Sequence, residues 1–457
     1  MLIRFMVKNL FSFKEETEFN LLPSKDTKLA HHKYQHNGVE VLKSTAIYGA
    51  NGSGKSNLIK AIGLLKQLLI SGNIPAPFYT QKFRLSPKMQ QEPVEMSIDF
   101  MLDKNYYYAI SINQGIILDE YLCITEKDKE DVLIFHRKQK GKKISIEFSK
   151  EFYILKENVV LKKLIENTLL KSDKPLFTFL NQLNLLIFTD VENAYSWFKS
   201  NLSPLFRTHL NSYANYADKQ NTFIKNFIST FNTGITDLKV EKQSIEDFFG
   251  QDDLGEINKI KEEFITKKVS SITKRHKSKD VMYILEDEKI VVKTLTFIQK
   301  DDEGKDIEFK INELSDGTRL LISYVPFFQY LLNKKCTVLI DEIELSIHPN
   351  LIKELLTRFS KNEETKGQLI FSTHDTNLLD QKIFRTDEIW FAEKNEIGAT
   401  KLYSLSEYKQ NSSIDIEEGY LQGRYGAIPF LGGLQNDNNK ENNEQNYKQK
   451  SDNYEET

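Results

Sequence analysis

Apolar and polar positions alternate from the first residue. In MLIRFMVKNLFSF every second side chain is apolar except at Asn9, the period of a strand with one buried face, so two short strands are expected between Met1 and about Phe19. The same period returns between about Met96 and Ile124, in "MSIDFML" and "YYYAISI", and predicts an antiparallel meander. From about residue 150 to 275 the spacing lengthens to the helical period, as in "ENVVLKKLIENTLLKS" and "DLGEINKIKEEFITKK", which predicts a helical insertion. Strands resume in "VMYILEDEKIVVKTLTFIQKDDEGKDIEFKI", with Gly304 expected in a hairpin turn. A helix over about Arg319 to Asn333, the strand "CTVLI", a helix after His348 and the strand "QLIFST" then alternate as a parallel α/β unit does. The expected fold is therefore α/β, a mixed and parallel sheet with helices and an antiparallel β flank. Its parts are 1–150, a helical insertion at 151–280 that would serve dimerisation or partner binding, 281–432, and a tail at 433–457. The tail has almost no apolar residues and is expected to be disordered.

Composition narrows the class without deciding it. The chain has 457 residues, 40% hydrophobic and 28% charged, and a net charge of −3 with both signs interspersed, so any contact with nucleic acid must be local. Two cysteines exclude a disulfide framework and a cysteine-rich zinc site. The apolar run Leu176 to Phe188 is interrupted by Asn181, Gln182 and Asn184 and is too short to span a bilayer. A cytoplasmic protein with no membrane partner is expected.

The chemistry enters at residues 49–56, "GANGSGKS", which fit G-x-x-x-x-G-K-[ST] between the strand-like "STAIY" and the helical "NLIKAIGLLKQLLI". Gly49, Gly52 and Gly54 would let backbone N–H groups of the loop, through Asn51 and Ser53, surround phosphate oxygens, and the helix that begins near Asn57 adds its positive end. Lys55 would reach the β and γ phosphates of ATP and Ser56 would ligate Mg²⁺. The alternative is a glycine-rich turn that fits the pattern by chance. "TVLIDEIE" supplies the acids such a loop needs: Asp341 for the metal and Glu342 as general base, unless the pair merely caps the next helix. Loop and acids come from opposite ends of the chain, so the head must be assembled across an insertion. At the end of "QLIFSTHDTNLLD", His374 could sense the γ-phosphate; a lone histidine would more often be structural.

"ELSDGT", residues 313–318, puts Ser315, Asp316 and Gly317 at the mouth of an apolar helix, another anion-binding geometry in a head that already has a phosphate loop. An N-capped helix with no ligand is the alternative. The stretch resembles the signature motif of ABC-type ATPases, with Asp316 and Thr318 as departures. The resemblance implies a head-to-head dimer or higher homo-oligomer in which Ser315 meets the γ-phosphate held by the other copy. The N-terminal strand pair, the early phosphate loop and the clustering of signature, acids and histidine after a long insertion are similar to the SMC-like and RecF-like branch. Within it, "DEIELSIHPNL", "STHDTNLLD", "DEIWFAEKNEIGATKLYSLSEY" and "GRYGAIPFLGG" resemble the abortive-infection ATPases related to the overcoming-lysogenization-defect proteins. That resemblance covers about residues 1 to 125 and 285 to 432 and places His348 near the partner. Gln81, in "FYTQKFRLSP", is the candidate for the Q-loop.

Basic residues in "KKVSSITKRHKSK", Lys267 to Lys279, could touch phosphate backbone or a protein, or form a solvated helix end. Relatives with their own nuclease carry a TOPRIM-type domain after the head. The stretch beyond His374 is too short for one, and "SIDIEE" at Ser413 to Glu418 reads as a solvated acidic turn. The expected function is thus an ATPase that senses a DNA or phage-protein trigger and controls a separate TOPRIM-like effector. A RecF-like DNA clamp is the second reading, and the motor subunit of a membrane transporter a third, opposed by the large insertion.

Overall fold

Continuous apolar runs become the strands of a central sheet. β5 (Ser44–Tyr48), β17 (Thr337–Ile340) and β18 (Gln368–Ser372) are buried at every position, as parallel strands covered on both faces must be. With β11 (Leu202–Leu205), β19 (Ile389–Lys394) and β20 (Thr400–Ser404) they form a six-stranded sheet in the order β11-β17-β18-β5-β19-β20, parallel except at β19–β20. The structure, a computed structural model, describes residues 1–205, 231, 233–250, 253–267, 271–276, 279–345, 347–408 and 415–428. The tail expected over 433–457 lies outside them.

Helix α1 (Lys55–Ser71) covers one face of this sheet. Its Leu58, Ile62, Leu65 and Leu69 join Ile47, Leu339 and Ile370 in one core, each apolar side chain contributing roughly 1.5–3 kcal/mol on burial. The opposite face, Ala46, Tyr48, Val338, Ile340, Leu369 and Phe371, packs on the helices Asp316–Asn333 and Pro349–Lys361.

The antiparallel flank is a seven-stranded sheet built from β1 (Leu2–Lys8), β2 (Thr17–Asn20), β6 (Val94–Met101), β7 (Asn105–Asn113), β8 (Ile116–Thr125), β9 (Val132–Lys140) and β10 (Lys143–Phe148). Its order is β10-β9-β8-β7-β6-β1-β2, and the hairpin β3 (Lys33–His36) with β4 (Val39–Leu42) stands beside it. Gln368 stitches flank to centre. Its amide donates to the carbonyls of Leu2 and Leu42 and accepts from Leu2 N and Thr337 Oγ1, so this fully buried group has its hydrogen bonds satisfied.

The insertion is only partly helical. Helices Lys156–Leu164, Leu176–Leu183 and Thr189–Ser196 pack on the flank and α1 within the same core rather than forming a separate domain. β11 then completes the central sheet. A further antiparallel sheet follows, β12 (Ile235–Ser244), β13 (Ser271–His276), β14 (Lys279–Glu286), β15 (Lys289–Lys300) and β16 (Asp306–Lys310), with the helix Leu254–Lys267 packed on it. The expected boundary at 280/281 therefore cuts β14. Within "KKVSSITKRHKSK", Ser271–His276 is strand where a solvated helix end was one expectation, because pairing with β14 outweighs the weak local pattern. Gly304 does occupy the β15–β16 turn. Asp415 caps a helix, Ile416–Leu421, where an acidic turn was expected.

Candidate functional site

The loop between β5 and α1 lies at the C-terminal edge of the parallel strands. Gly49, Gly52 and Gly54 have φ of 147°, 77° and 115°. Positive φ points successive N–H groups to one side, the concavity that binds anions. Its back is closed by β20 and the turn after β1: Thr400 Oγ1 donates to Ser53 O at 2.7 Å and accepts from Ser12 Oγ at 2.7 Å, and a Cβ at Gly54 would collide with Thr400. Nothing lies within 4 Å of a Cβ at Gly52, on the open side. Asn51 is exposed, Ser53 Oγ is buried without a hydrogen-bond partner, and Asn57 turns away to donate to Ser12 Oγ at 2.8 Å.

Lys55 is buried inside the loop, its ammonium donating to Gly49 O at 2.7 Å and Ala50 O at 3.1 Å. Burial lowers its pKa to about 8 against the opposing pull of Asp341, Glu344 and Glu342. Ser56 Oγ donates to Asp341 Oδ1 at 3.0 Å, joining the two chain ends in one site. Ser372 holds this carboxylate from the other side: its hydroxyl donates to Asp341 Oδ1 at 2.7 Å and accepts Glu342 N at 2.8 Å. Glu342 has φ 53°, a left-handed conformation unusual for a side chain with a Cβ. His374 Nδ1 lies 3.5 Å from Lys55 Nζ, and burial, then Lys55, lowers its pKa. The His374 backbone N–H donates to Glu344 Oε1 at 2.6 Å, while Glu344 Oε2 is buried without a partner.

Among the described residues, none of Asp341, Glu342 and Glu344 closes an ion pair, and no cluster of three histidine, cysteine or carboxylate groups could hold a metal alone. A hydroxyl and a carboxylate 3.0 Å apart beside an anion-binding loop suit Mg²⁺, which takes one or two protein oxygens and completes its shell with phosphate and water. The loop's inward N–H groups and Lys55 suit the phosphates of ATP.

Residues 44–380 match the family described as "AAA domain, putative AbiEii toxin, Type IV TA system". The chain belongs to this family. Solved structures similar to it include the SMC head domain from Thermotoga maritima, at 14% identity over 88% of this chain and 98% of that one, TM-score 0.39. Another is the SmcHead bound to the C-winged helix domain of ScpA, at 14% identity over 92% and 99%, TM-score 0.41. No curated protein matches the chain.

The remaining expected residues of this AAA-family chain lie apart from the loop. Ser315 caps the helix Asp316–Asn333, accepting Thr318 N at 3.1 Å. Ser315 and Asp316 are exposed, Gly317 is half-buried, and Asp316 pairs with Arg319. No described hydrogen bond joins residues 315–318 to the phosphate loop of the same chain. His348 caps the helix Pro349–Lys361 through Asn350 N. Gln81 is exposed at the end of a short helix, its carbonyl accepting Phe11 N at 2.7 Å, and it faces a cavity along α1 with Asn57 and Lys60. Sequence reasoning missed Ser12, Thr400, Ser372 and Glu344 as parts of the site. Ser372 alone had a signal, its place at the end of the strand leading to His374.

Proposed function

We propose that this chain binds ATP with Mg²⁺ and hydrolyses it, and that it works in the cytoplasm as a homodimer or higher homo-oligomer joined through ATP-bound heads. It is the sensor and scaffold of a bacterial anti-phage, abortive-infection system. A DNA or phage-protein trigger changes its nucleotide state, and the assembly holds or releases a separately encoded effector, a TOPRIM-like nuclease. The observation that carries the ATPase reading is the convergence of Lys55, Ser56, Asp341, Glu342 and His374 on one edge of the central sheet. The family description, with its AbiEii toxin and toxin–antitoxin system, supports the defence setting. Among the described residues no helix is long and apolar enough to cross a membrane.

Bound ATP with Mg²⁺ supplies the phosphoanhydride to be cleaved. Lys55 and the loop N–H groups bind and orient the phosphates, and Ser56 with Asp341 holds the metal. The Glu342 carboxylate takes a proton from the attacking water. His374, neutral because its pKa is lowered, hydrogen-bonds the terminal phosphate. Glu344 fixes the backbone at His374, so the loop after the acids and the histidine loop move together. Ser315, exposed and without a partner phosphate in its own chain, serves the site of the second copy.

The test is phosphate release and complex composition for wild type and Glu342→Gln purified with the products of neighbouring genes. The reading expects slow hydrolysis lost in the variant, together with an ATP-dependent second polypeptide. Absence of ATP binding in the wild type would overturn it.

A further inference from the structure

The hairpin of β9 and β10 carries a charge that the rest of its sheet does not. Residues 136–143, "HRKQKGKK", contain five Arg or Lys and no acid, in a chain of net charge −3. Strand alternation separates them. Arg137 and Gln139 point inward and are buried, while Lys138 and Lys140 stand on the outer face with His136, Lys142 shares the two-residue turn with Gly141, and Lys143 opens β10. All four lysines are exposed, and none has a carboxylate partner among the described residues. Acids enter this face at Asp119, opposite Lys138 across β8 and β9, and at Glu147, opposite His136, and beyond them it is balanced. Asp119 pairs with His136, Asp99 and Glu18 with Arg4, and Glu95 with Lys8.

Two physical points make this more than a solvated edge. Lys140 lies directly opposite Lys143, and like charges across a strand pair are destabilising unless something neutralises them. Lysines do blunt exposed sheet edges against aggregation, but here Ile146 N already donates to Glu166 Oε1 at 2.6 Å and Phe148 N to Tyr153 OH at 3.3 Å. Away from the turn, at Ile146 and Phe148, the edge is thus covered without the lysines. Lysine is depleted in protein–protein interfaces, whereas it is a regular contact of phosphate backbones. β9 is paired with β8 as far as Lys138, so only the tip beyond it, Gln139 to Ile144, projects as a two-stranded ribbon, a shape that fits the major groove of duplex DNA.

We infer that the β9–β10 hairpin is a docking ribbon for duplex DNA, with Lys138, Lys140, Lys142 and Lys143 contacting backbone phosphates. The surface belongs to the flank sheet and is independent of the ATPase reading, though it gives that reading a direct route to a nucleic-acid trigger. The experiment is anisotropy of a short fluorescein-labelled duplex of mixed sequence, titrated with the full chain from low to physiological salt. Four phosphate contacts predict a slope of log K against log[salt] of about −3 to −4. The variant K138Q/K140Q/K142Q/K143Q is expected to lose tenfold or more in affinity and most of that slope, while binding a fluorescent ATP analogue as the wild type does. Lys55→Ala is expected to lose the ATP analogue and keep the duplex, which separates the two proposals. Failure of the wild type to bind duplex at low salt would overturn the inference. So would unchanged affinity and slope in the quadruple variant, or tighter binding of the single strand than of the duplex.

Discussion

At Glu342 the backbone is held at φ 53° by the hydrogen bond from its N–H to Ser372, a conformation that costs of order 1 kcal/mol for a residue with a Cβ. Glu342→Gly should relieve that cost, raising stability by up to about 1 kcal/mol in denaturant unfolding, while hydrolysis falls by at least about a hundredfold for want of the base. A variant less stable than wild type would show that the conformation is not strained. Lys55 gives a pH dependence. Its pKa is lowered to about 8, so between pH 8 and 10.5 the unfolded chain holds more protons than the folded one. The burial penalty is present in full below pH 8 and fades as pH rises through that window. Phosphate binding needs the charged form, so affinity for ATP should fall about tenfold per unit above pH 8. Titration with a fluorescent analogue checks this, and Lys55→Arg, which stays charged, should give a flat profile.

The loop as an element depends on what stands behind it. Gly54→Ala combines a φ of 115° with a collision against Thr400 and should destabilise by about 2 kcal/mol or more, with loss of ATP binding. Gly52→Ala meets only open space at φ 77° and should cost about 1 kcal/mol. Calorimetric melting of the two variants decides, and equal losses would mean that the Thr400 contact does not matter. Such contacts also mark where sequence reading stops. The strand, loop and helix around Lys55 were legible because a glycine pattern sits between the strand-like "STAIY" and the helical spacing of "NLIKAIGLLKQLLI", and β1, β2 and β6 to β8 because their period of two is clean, whereas β9 and β10 were not read. Thr400 and Ser12 carry no local signature, since only tertiary packing brings them behind the loop. β12 was hidden because its alternation is confined to Leu238–Glu241 and runs out into Lys242, Gln243 and Ser244, and β13 because Ile272 is the one apolar residue of Ser271–His276; pairing with β15 and β14 supplies the preference that the local sequence lacks.

For the whole molecule the question is whether one chain can make a complete site. Within a single copy the mouth of the helix at Ser315 makes no described hydrogen bond to the loop that holds Lys55, and its exposed hydroxyl is occupied only by its own helix. If two copies engage head to head, each site takes Lys55 from one chain and Ser315 from the other. Lys55→Ala and Ser315→Arg chains should then be inactive alone, because every site in either homodimer lacks one half. Mixed in equal amounts they re-pair. Half of the dimers contain one chain of each kind, and in each of these one of the two sites combines an intact Lys55 with an intact Ser315. The mixture should therefore recover about a quarter of wild-type phosphate release if sites act independently, and less if both must fire together. Recovery should rise with total protein concentration, since dimerisation is bimolecular. Activity that stays at zero at every ratio and concentration, with ATP binding by the Ser315→Arg chain intact, would place both halves of the site in one copy and end the case for engagement through ATP.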